Sequence, residues 1–433
     1  MKIAILGTRG IPGRYGGFET LADQLSKRLV ANGHEVTVYC RRPFTTAEDA
    51  VDPRIRRVIL PTISNKYLDT AFHTLLSVIH VLFMPVDLIL LCNVANSTLA
   101  WIPRLFGIPT VLNVDGLDRK RRKWNYFAQS YLHLCEMLAL ITPTRIITDA
   151  PPIQEYFWRR YRQRSTMIAY GAEVPEDTET LEGFDLSKKE YILYVSRLEP
   201  ENNPELVIRA YRETQTDWPL LMVGGNCYDP GFVERLKLLA NHRIIFPGPI
   251  YGKDYWRLLR NAGIYISACE VGGYHPALIE AMAAQCAILY LDTPENRETA
   301  GDCGLFFRPE ASDLAGQMAR LVRDAGLRQE MERRARIRAA SLFGWDDVTD
   351  RYETLFSEVL KGKAAFPIHA SSPLKAVLSP DSEIESANLG VALRPAEDHL
   401  LELPVPSAEG SGKLAGRSEN HLASSRSETR RRF

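Results

Sequence analysis

Residues Ile264 to Asp292 read IYISACEVGGYHPALIEAMAAQCAILYLD, which predicts a strand, a glycine-containing turn, a helix and a second strand. The β-branched run Ile264–Ser267 comes first, and the apolar run Ala287–Leu291 comes last. Pro276 lies at the predicted first position of the helix, which needs no backbone N–H. Because the free N–H groups at such a helix start can hold an anion, this unit predicts a phosphate-binding site.

Two glutamates lie close to this predicted helix start. Glu270 is in the turn, and Glu280 is about one turn inside the helix. Carboxylates at these places can accept hydrogen bonds from sugar or ribose hydroxyls while the backbone amides bind phosphate. Either glutamate alone would be interpreted as a solvated charge, but the combination with Gly272, Gly273 and Pro276 favours a ligand site.

The composition limits the classes of function. A chain of 433 residues is long enough for two domains and a tail. Its 53 basic and 53 acidic residues give a net charge of zero, so we expect no nucleic-acid partner. The seven cysteines are scattered, which predicts reduced thiols in a cytoplasmic protein, and the nine histidines form no ligand cluster. We therefore expect no bound metal.

No segment of the sequence is typical of a membrane span or a secretory signal. The longest apolar region, Ala71 to Leu91, is interrupted by two histidines, a proline and an aspartate. The opening MKIAILG is too short an apolar run for a signal peptide. We expect a cytoplasmic location and leave open a peripheral contact with the inner face of the cytoplasmic membrane.

Strand and helix patterns alternate in two series, which predicts an α/β fold with parallel sheets covered by helices on both faces. Sites in such sheets lie at the carboxyl ends of the strands. A final stretch rich in Ser, Pro, Glu and Ala is predicted to be disordered. The predicted units are an N-terminal domain at 1–173, a linker at 174–189, a C-terminal domain at 190–344, a closing helix at 345–362 and the tail at 363–433.

The first loop, Gly7 to Gly17, is rich in glycine and contains two arginines. It does not match GxGxxG, and the second strand ends in Arg41 rather than an acid, so a dinucleotide site is not expected. Arg9 and Arg14 can grip a diphosphate bidentately, or they are ordinary surface arginines, and loop position alone does not decide between the two.

Three further groups of polar residues follow predicted strands. Asp115 and Asp118 come after PTVLNVDG, where they either face a cleft or cap local structure. Arg197 ends a strand of the second series, where a cation would neutralise a leaving diphosphate. The basic run is either a solvated face or a surface for a phosphate-bearing acceptor at an anionic membrane. It comprises Arg119, Lys120, Arg121, Arg122 and Lys123, with Trp124 and Tyr126 next to it.

Four motifs carry a resemblance to a known family: GTRGIPGRYGGFETLA, NVDGLDRKRRKW, VSRLEPENN and EVGGYHPALIEAM. Together they resemble family 4 of the retaining glycosyltransferases, in particular the branch of bacterial rhamnosyltransferases of capsule and exopolysaccharide assembly. The resemblance covers about Met1 to Leu360. It implies the GT-B fold, in which two facing Rossmann-like domains hold a nucleotide-sugar donor in the cleft between them, with no cofactor.

The resemblance also implies roles for residues that bind the donor. Glu280 matches the family's ribose-binding glutamate, and Arg197 matches its diphosphate-binding arginine. The backbone near Ala277 and Leu278 would hold the distal phosphate. Gly16 and Gly17 match the family's loop that lines the phosphates.

Three matches to the family are approximate. Gly272 occupies the place of the family's first paired glutamate, and Glu270 lies two residues before it. Asn202 replaces the family's usual lysine. Asp115 falls where many members carry a histidine near the reacting carbon. We predict catalytic roles for Asp115, Arg197 and Glu270.

The implied reaction moves a hexose or deoxyhexose, with retention and without a metal, to a lipid-linked saccharide. L-rhamnose from dTDP-rhamnose is the first expectation, and a UDP-sugar is the second. One alternative is a nucleotide-sugar epimerase, which needs an acid/base pair that the cleft motifs do not obviously supply. Another is a non-catalytic sugar-nucleotide-binding regulator, suggested by Asn202 and the displaced Glu270.

Overall fold

The structure, a computed structural model, describes residues 1–362 with short gaps. The gaps are Tyr15, Ser64, Lys66, Tyr67, Lys123, Asp177, Glu179, Thr180, residues 182–185, Cys227 and Tyr228. The predicted tail and Lys123 therefore lie outside the described residues. Several residues of the predicted linker do so as well, and the limits of the two domains stay a prediction.

The first sheet contains seven parallel strands in the order β3-β2-β1-β4-β5-β6-β7. Its strands are β1 (Lys2–Leu6), β2 (Glu35–Arg41), β3 (Arg56–Leu60), β4 (Leu88–Cys92), β5 (Thr110–Asn113), β6 (Arg145–Thr148) and β7 (Thr166–Met167). The helices between them are α1 (Gly17–Ala31), α2 (Asp69–Val81), α3 (Trp101–Leu105), α4 (Tyr126–Ala139) and α5 (Pro151–Tyr161). Short 3-10 helices occupy Val94–Leu99 and Asp118–Lys120. Strand β4 is buried at every position, as expected for a central strand of a parallel sheet covered on both faces.

The second sheet contains six parallel strands in the order β10-β9-β8-β11-β12-β13. Its strands are β8 (Ile192–Val195), β9 (Leu220–Val223), β10 (Ile244–Gly248), β11 (Ile264–Ser267), β12 (Ala287–Leu291) and β13 (Gly304–Phe307). The helices are α6 (Pro204–Glu213), α7 (Pro230–Leu239), α8 (Gly252–Asn261), α9 (Pro276–Ala283), α10 (Pro294–Ala300), α11 (Ala311–Arg323), α12 (Ala325–Leu342) and α13 (Trp345–Gly362). A 3-10 turn covers Pro200–Asn202.

The last helix, α13, follows the second sheet in sequence but packs against helix α1 of the first. Asn113, at the end of β5, donates a hydrogen bond from Nδ2 to the Tyr352 hydroxyl of α13 at 2.9 Å. The Trp345 ring lies directly over Gly171. This helix therefore fastens the end of the second series to the first.

The strand orders place topological switch points between β1 and β4 in one sheet and between β8 and β11 in the other. In both sheets the chain order reverses there, and ligands of open α/β sheets bind outside the carboxyl ends of strands at such points. The prediction of two Rossmann-like parallel sheets is confirmed. Helix α10, between β12 and β13, was not predicted. None of the helices in the described part of the chain has the length and hydropathy needed to cross a bilayer.

Candidate functional site

Two helix starts meet across the cleft between the sheets. Helix α1 begins at Gly17 after the loop that leaves β1, and helix α9 begins at Pro276 after the loop that leaves β11. A Cβ atom built on Gly17 would lie 3.0 Å from Pro276 Cγ and 3.3 Å from the Tyr170 hydroxyl. The amino ends of both helices therefore point into one region, where their dipoles favour an anion.

The start of α9 carries no acidic side chain in its first turn. His275 is its N-cap residue, and Leu278 N–H already donates to His275 O at 2.9 Å. Of the two backbone groups expected to hold a phosphate, Ala277 N–H is the one without a hydrogen-bond partner among the described residues. The Leu278 N–H is used inside the helix, and the role of this backbone in phosphate binding stays a prediction.

Glu280 lies in the second turn of α9 and is buried. The Tyr255 hydroxyl of α8 donates to its Oε2 at 2.5 Å. Burial raises the pKa of Glu280 to about 7, and the Tyr255 hydrogen bond partly opposes that rise. The carboxyl group therefore titrates near neutral pH and sits beside the amino end of the helix.

Glu270 joins the two domains at the rim of the cleft. Its Oε1 accepts hydrogen bonds from the Arg122 guanidinium of the first domain and, at 3.1 Å, from Asn203 Nδ2. Its backbone N–H donates to Glu201 O at 3.0 Å. The structure thus brings Glu270 next to a cation of the facing domain.

The loop after β8 carries Arg197, whose Nη1 lies 3.4 Å from Glu199 Oε2. Asn202, expected to contact the donor, is buried, and its Nδ2 donates to Arg197 O at 2.7 Å. The amide group therefore fixes the loop that positions Arg197. A contact between Asn202 and the donor stays a prediction.

The cleft contains two functional candidates that sequence reasoning placed elsewhere or missed. Arg121 is buried, and its Nε donates to Asp118 Oδ1 at 2.6 Å. His275 lies against Gly272, and its buried Nε2 has no hydrogen-bond partner among the described residues. Burial and the charges of Arg121 and Arg197 lower the pKa of His275 to about 4. The sequence signal for His275 was its position directly before Pro276, which begins the predicted helix.

The remaining basic residues do not share one exposed face. Arg119 is half-buried, donating at 2.8 Å from Nε to Glu136 Oε2 and from Nη2 to the Tyr156 hydroxyl. Lys120 is exposed, with its ammonium 5.9 Å from the Tyr156 ring centroid. Arg121 is buried as well, so the described part of the basic run faces several directions, and its role towards an acceptor or a membrane stays a prediction.

Asp115 follows β5 in the left-handed backbone region, with a φ of 52°. It is half-buried, its N–H donates to Asn113 Oδ1 at 3.1 Å, and its carboxyl group lies within hydrogen-bonding distance of the Asp149 carboxyl. Asp149 follows β6, is fully buried and was not predicted as a site residue. Burial raises the pKa of Asp115 and raises that of Asp149 well above its usual range.

The turn Gly272–Tyr274 packs backbone-to-backbone against the first domain. The N–H of Tyr274 donates to Asp149 Oδ2 at 2.9 Å. A Cβ on Gly273 would lie 1.9 Å from Asp149 Oδ1, and a Cβ on Gly116 would lie 2.4 Å from Gly272 C. Glycine is required at these positions because no side chain fits between the two domains.

The first loop is occupied by contacts within its own domain. Gly16 is the N-cap residue of α1 with extended backbone, and a Cβ there would lie 3.3 Å from Glu19 Oε2. Glu19 Oε1 accepts the Arg9 backbone N–H at 2.8 Å. The Arg9 guanidinium lies 4.1 Å from the Phe44 ring centroid, and Arg14 pairs with Asp49 at 2.8 Å.

No group of three or more histidine, cysteine, aspartate or glutamate side chains in the described residues is arranged to hold a metal ion. The expectation of a metal-independent site stays a prediction.

Comparison with known families matches both halves of the chain. Residues 178–338 match glycosyl transferases group 1. Residues 1–173 match a domain of unknown function, DUF1972.

Two curated relatives are each 26% identical to the chain. One, over 157 residues, is N-acetylgalactosamine-N,N'-diacetylbacillosaminyl-diphospho-undecaprenol 4-alpha-N-acetylgalactosaminyltransferase from Campylobacter jejuni. The other, over 197 residues, is N-acetyl-alpha-D-glucosaminyl L-malate synthase from Bacillus anthracis. The alignments cover 35% and 42% of this chain. The chain spans about half the length of the curated relatives it matches, 42% and 50% respectively.

Similar solved structures cover most of the chain at low identity. Sucrose-phosphate synthase from Thermosynechococcus elongatus has a TM-score of 0.70 at 20% identity, covering 83% of this chain and 99% of its own. Anabaena HepE in complex with UDP and glucose has a TM-score of 0.66 at 17% identity, covering 83% and 100%. WaaG, a glycosyltransferase of lipopolysaccharide biosynthesis, has a TM-score of 0.62 at 14% identity, covering 82% and 99%. These likenesses confirm the predicted two-domain GT-B fold.

Proposed function

We propose that the chain is a transferase that moves a sugar from a nucleoside diphosphate to an acceptor hydroxyl, and the match of residues 178–338 to glycosyl transferases group 1 supports this. One observation carries the proposal. The start of α9 has no acid in its first turn and lies beside Arg121 and Arg197 in the cleft. A diphosphate is the ligand chemistry that this arrangement favours.

The proposed donor complex uses the residues that surround this helix start. The diphosphate would take the Ala277 N–H and the guanidinium groups of Arg121 and Arg197, one from each domain. His275, neutral at pH 7 because its pKa is about 4, can donate a ring N–H to the same anion. Glu280, held by Tyr255, would accept the ribose hydroxyls.

The proposed transfer breaks the bond between the anomeric carbon and the diphosphate oxygen, and the electron pair of that bond leaves with the phosphate. Arg197 and the helix start would stabilise the negative charge that develops on the departing diphosphate. The acceptor hydroxyl would attack from the same face and give its proton to the leaving phosphate, which retains the anomeric configuration. Asp115 would contact the sugar from the facing domain.

We propose one preferred donor and one alternative. The four sequence motifs favour dTDP-rhamnose. The names of the two curated relatives contain N-acetylgalactosaminyl and N-acetylglucosaminyl groups, and the HepE structure contains UDP and glucose. These findings support UDP-sugars as the alternative.

We propose a lipid-linked saccharide as the acceptor, because helices of the first domain expose apolar side chains. Helices α2, α3 and α4 all pack against the short helix Val94–Leu99. The α4 residues Tyr126 and Phe127 are 78% and 81% exposed, and they closely follow the exposed Lys120. Other exposed apolar side chains on these helices are Leu75, Ile79, Trp101, Leu105, Tyr131 and Leu134. Aromatic and basic groups together are typical of surfaces that bind an anionic bilayer.

The donor test measures nucleotide release from a panel of dTDP-, UDP- and GDP-sugars by the purified full chain, with and without a short lipid diphosphate saccharide. Acceptor-dependent release from one preferred donor is the expected result. If no donor is turned over and one raises the melting temperature, the transferase proposal is replaced by the regulator alternative.

The epimerase alternative needs its own readout, because His275 places in the cleft an imidazole that can serve as one half of an acid/base pair. Incorporation of solvent deuterium into the sugar without nucleotide release would favour the epimerase. Nucleotide release without deuterium incorporation supports the transferase.

The membrane test measures flotation of the protein with anionic vesicles. The double variant Tyr126→Ser/Phe127→Ser should float several-fold less than the wild type, since each side chain loses its apolar area in the bilayer. Leu238→Ser is the matched control, because Leu238 is 85% exposed on α7 of the second domain. Equal losses for both variants would contradict a specific membrane surface.

A further inference from the structure

Asp149 is a fully buried carboxyl group at the contact between the two domains. Its Oδ2 accepts the Tyr274 N–H of the second domain at 2.9 Å. Its Oδ1 is buried without a hydrogen-bond donor among the described residues. The neighbour within hydrogen-bonding distance is the carboxyl group of Asp115, which when ionised is an acceptor only. The contact between the two acids is therefore satisfied only if one of them carries a proton.

The surroundings favour a single shared proton. A buried and a half-buried carboxyl group in contact cannot both ionise without a large repulsion, and the pair titrates as a unit. Burial and the charge of Asp115 raise the pKa of Asp149 well above its usual range. The other titratable groups near the pair are Cys92, Asp118, Arg121, Tyr170, Tyr274 and Tyr352. Of these, Arg121 is the cation, and it is already bonded to Asp118.

The backbone that Asp149 holds leads directly into α9. Gly273 lies against the Asp149 carboxyl, and Gly272 lies against Gly116 of the first domain. The next residues are Tyr274 and His275, the N-cap of α9. The position of the Asp149 carboxyl group therefore determines the position of the start of α9 relative to Asp115.

We propose that Asp149 is a positioning residue for the transfer reaction: its protonated carboxyl donates to Asp115 while accepting from Tyr274 N–H, and this fixes the start of α9 against the first domain. The kinetic part of this inference rests on the proposed function, whereas the contact between the domains does not. Loss of the shared proton leaves two adjacent anions, which repel each other and release the turn.

The direction of the pH dependence follows from the raised pKa of Asp149. The closed contact holds a proton that two separate carboxyl groups in water would have lost at neutral pH. Its stabilisation is therefore fully present at low pH and is lost as the pH rises through the raised pKa. Opening of the cleft releases a proton.

The test uses the full chain and two variants of one position. Asp149→Asn is neutral, accepts from Tyr274 N–H through its amide oxygen and donates to Asp115 through its amide nitrogen, so it imitates the protonated acid. Asp149→Ala removes both bonds. The control is Asp217→Asn, because the Asp217 side chain is 98% exposed and lies in the second domain.

The first readout is the radius of gyration from small-angle X-ray scattering between about pH 5 and about pH 9, on both sides of neutral pH. The wild type and Asp217→Asn should be compact at the acid end and expand as the pH rises. Asp149→Asn should stay compact throughout, and Asp149→Ala should be expanded throughout. A radius independent of pH in the wild type, or an Asp149→Asn variant that expands like it, overturns the proposal.

The second readout is the pH profile of kcat with the donor found in the panel. The wild type should lose turnover at high pH, and Asp149→Asn should lack that alkaline loss while keeping kcat within about tenfold at neutral pH. An alkaline loss that persists in Asp149→Asn overturns the positioning role. If no donor is turned over but the scattering behaves as expected, the proposed function fails and the shared-proton contact stands.

Discussion

The starts of helices α1 and α9 have similar geometry and opposite electrostatics. Both follow a glycine-containing loop at the carboxyl end of a strand beside the switch point of its sheet. Helix α1 has Glu19 in its first turn, and this carboxylate accepts the Arg9 N–H. Helix α9 has no acid in its first turn and lies beside Arg121 and Arg197. A helix start therefore favours an anion only where the chain has not already supplied one.

The arginines near the two starts differ in the same way. Arg14 of the first loop is paired with Asp49 at 2.8 Å, and the Arg9 guanidinium lies over Phe44. Around α9, Arg121 and Arg197 come from different domains and act together on His275. The positive charge of the first loop is used to hold that loop. The positive charge of the cleft is assembled only when both domains are in place.

The largest expected effect is the difference in activity between alanine substitutions at one glycine from each loop. Gly273→Ala should reduce kcat/KM by more than about a hundredfold, because the new Cβ would lie 1.9 Å from Asp149 Oδ1 and must displace the turn that opens α9. Gly17→Ala should cost about tenfold or less, since its Cβ meets Pro276 Cγ at 3.0 Å and a small shift relieves the contact. Steady-state kinetics of both variants, with melting temperatures, measure the difference. Equal losses would show that the two loops are equally constrained.

The next effect compares one arginine from each loop. Arg197→Ala should lower kcat by about a hundredfold, because the charge on the departing diphosphate loses one of its two nearby cations. Arg14→Ala should change kcat less than about threefold, since Arg14 is half-exposed and is already paired with Asp49 within its own domain. Single-turnover kinetics at saturating donor separate this loss from weaker binding. A larger loss for Arg14→Ala would place the diphosphate at α1.

The fold could be predicted from the sequence because its signals are local and repeated. Apolar runs such as Ile264–Ser267 alternate with helical patterns, and Pro276 marks a helix start, so each unit is specified within about 30 residues. Helix α10, Pro294–Ala300, is the exception among the helices. This helix has only seven residues, or about two turns. Its hydrophobic pattern is therefore too short to distinguish a helix from a loop in the sequence.

The site was only partly predictable, because its parts come together through tertiary contacts. Glu280 and Arg197 lie in motifs whose spacing is visible in one segment. Asp149 has no local signal, since its importance comes from Asp115 of one strand end and Tyr274 of the other domain. The basic run shows the same limit, because a row of charges does not reveal that Arg121 turns into the cleft.

The third prediction uses the pKa of Glu280, which has no counterpart at α1. Ribose hydroxyls donate to the ionised form, so donor affinity should increase as the pH rises through about 7, by up to about tenfold per pH unit on the acid side. Glu280→Gln should bind about tenfold more weakly above neutral pH and show no such dependence. Calorimetric titration with an intact nucleotide sugar measures both. A wild-type affinity that falls with pH would contradict the proposed ribose contact.

The smallest expected effect comes from Tyr255, which touches the donor site only through Glu280. Tyr255→Phe removes the hydroxyl that donates to Oε2, and because that bond lowers the pKa of Glu280, the pKa should rise further. More of the carboxyl is then protonated at pH 7, and donor affinity there should fall about threefold and recover at higher pH. Tyr251→Phe is the matched control, since Tyr251 is the 45%-exposed N-cap residue of the same helix α8. A pH-independent loss in Tyr255→Phe would mean that this ring packs the site rather than tuning its acid, and the electrostatic contrast between the two helix starts would then rest on Arg121 and Arg197 alone.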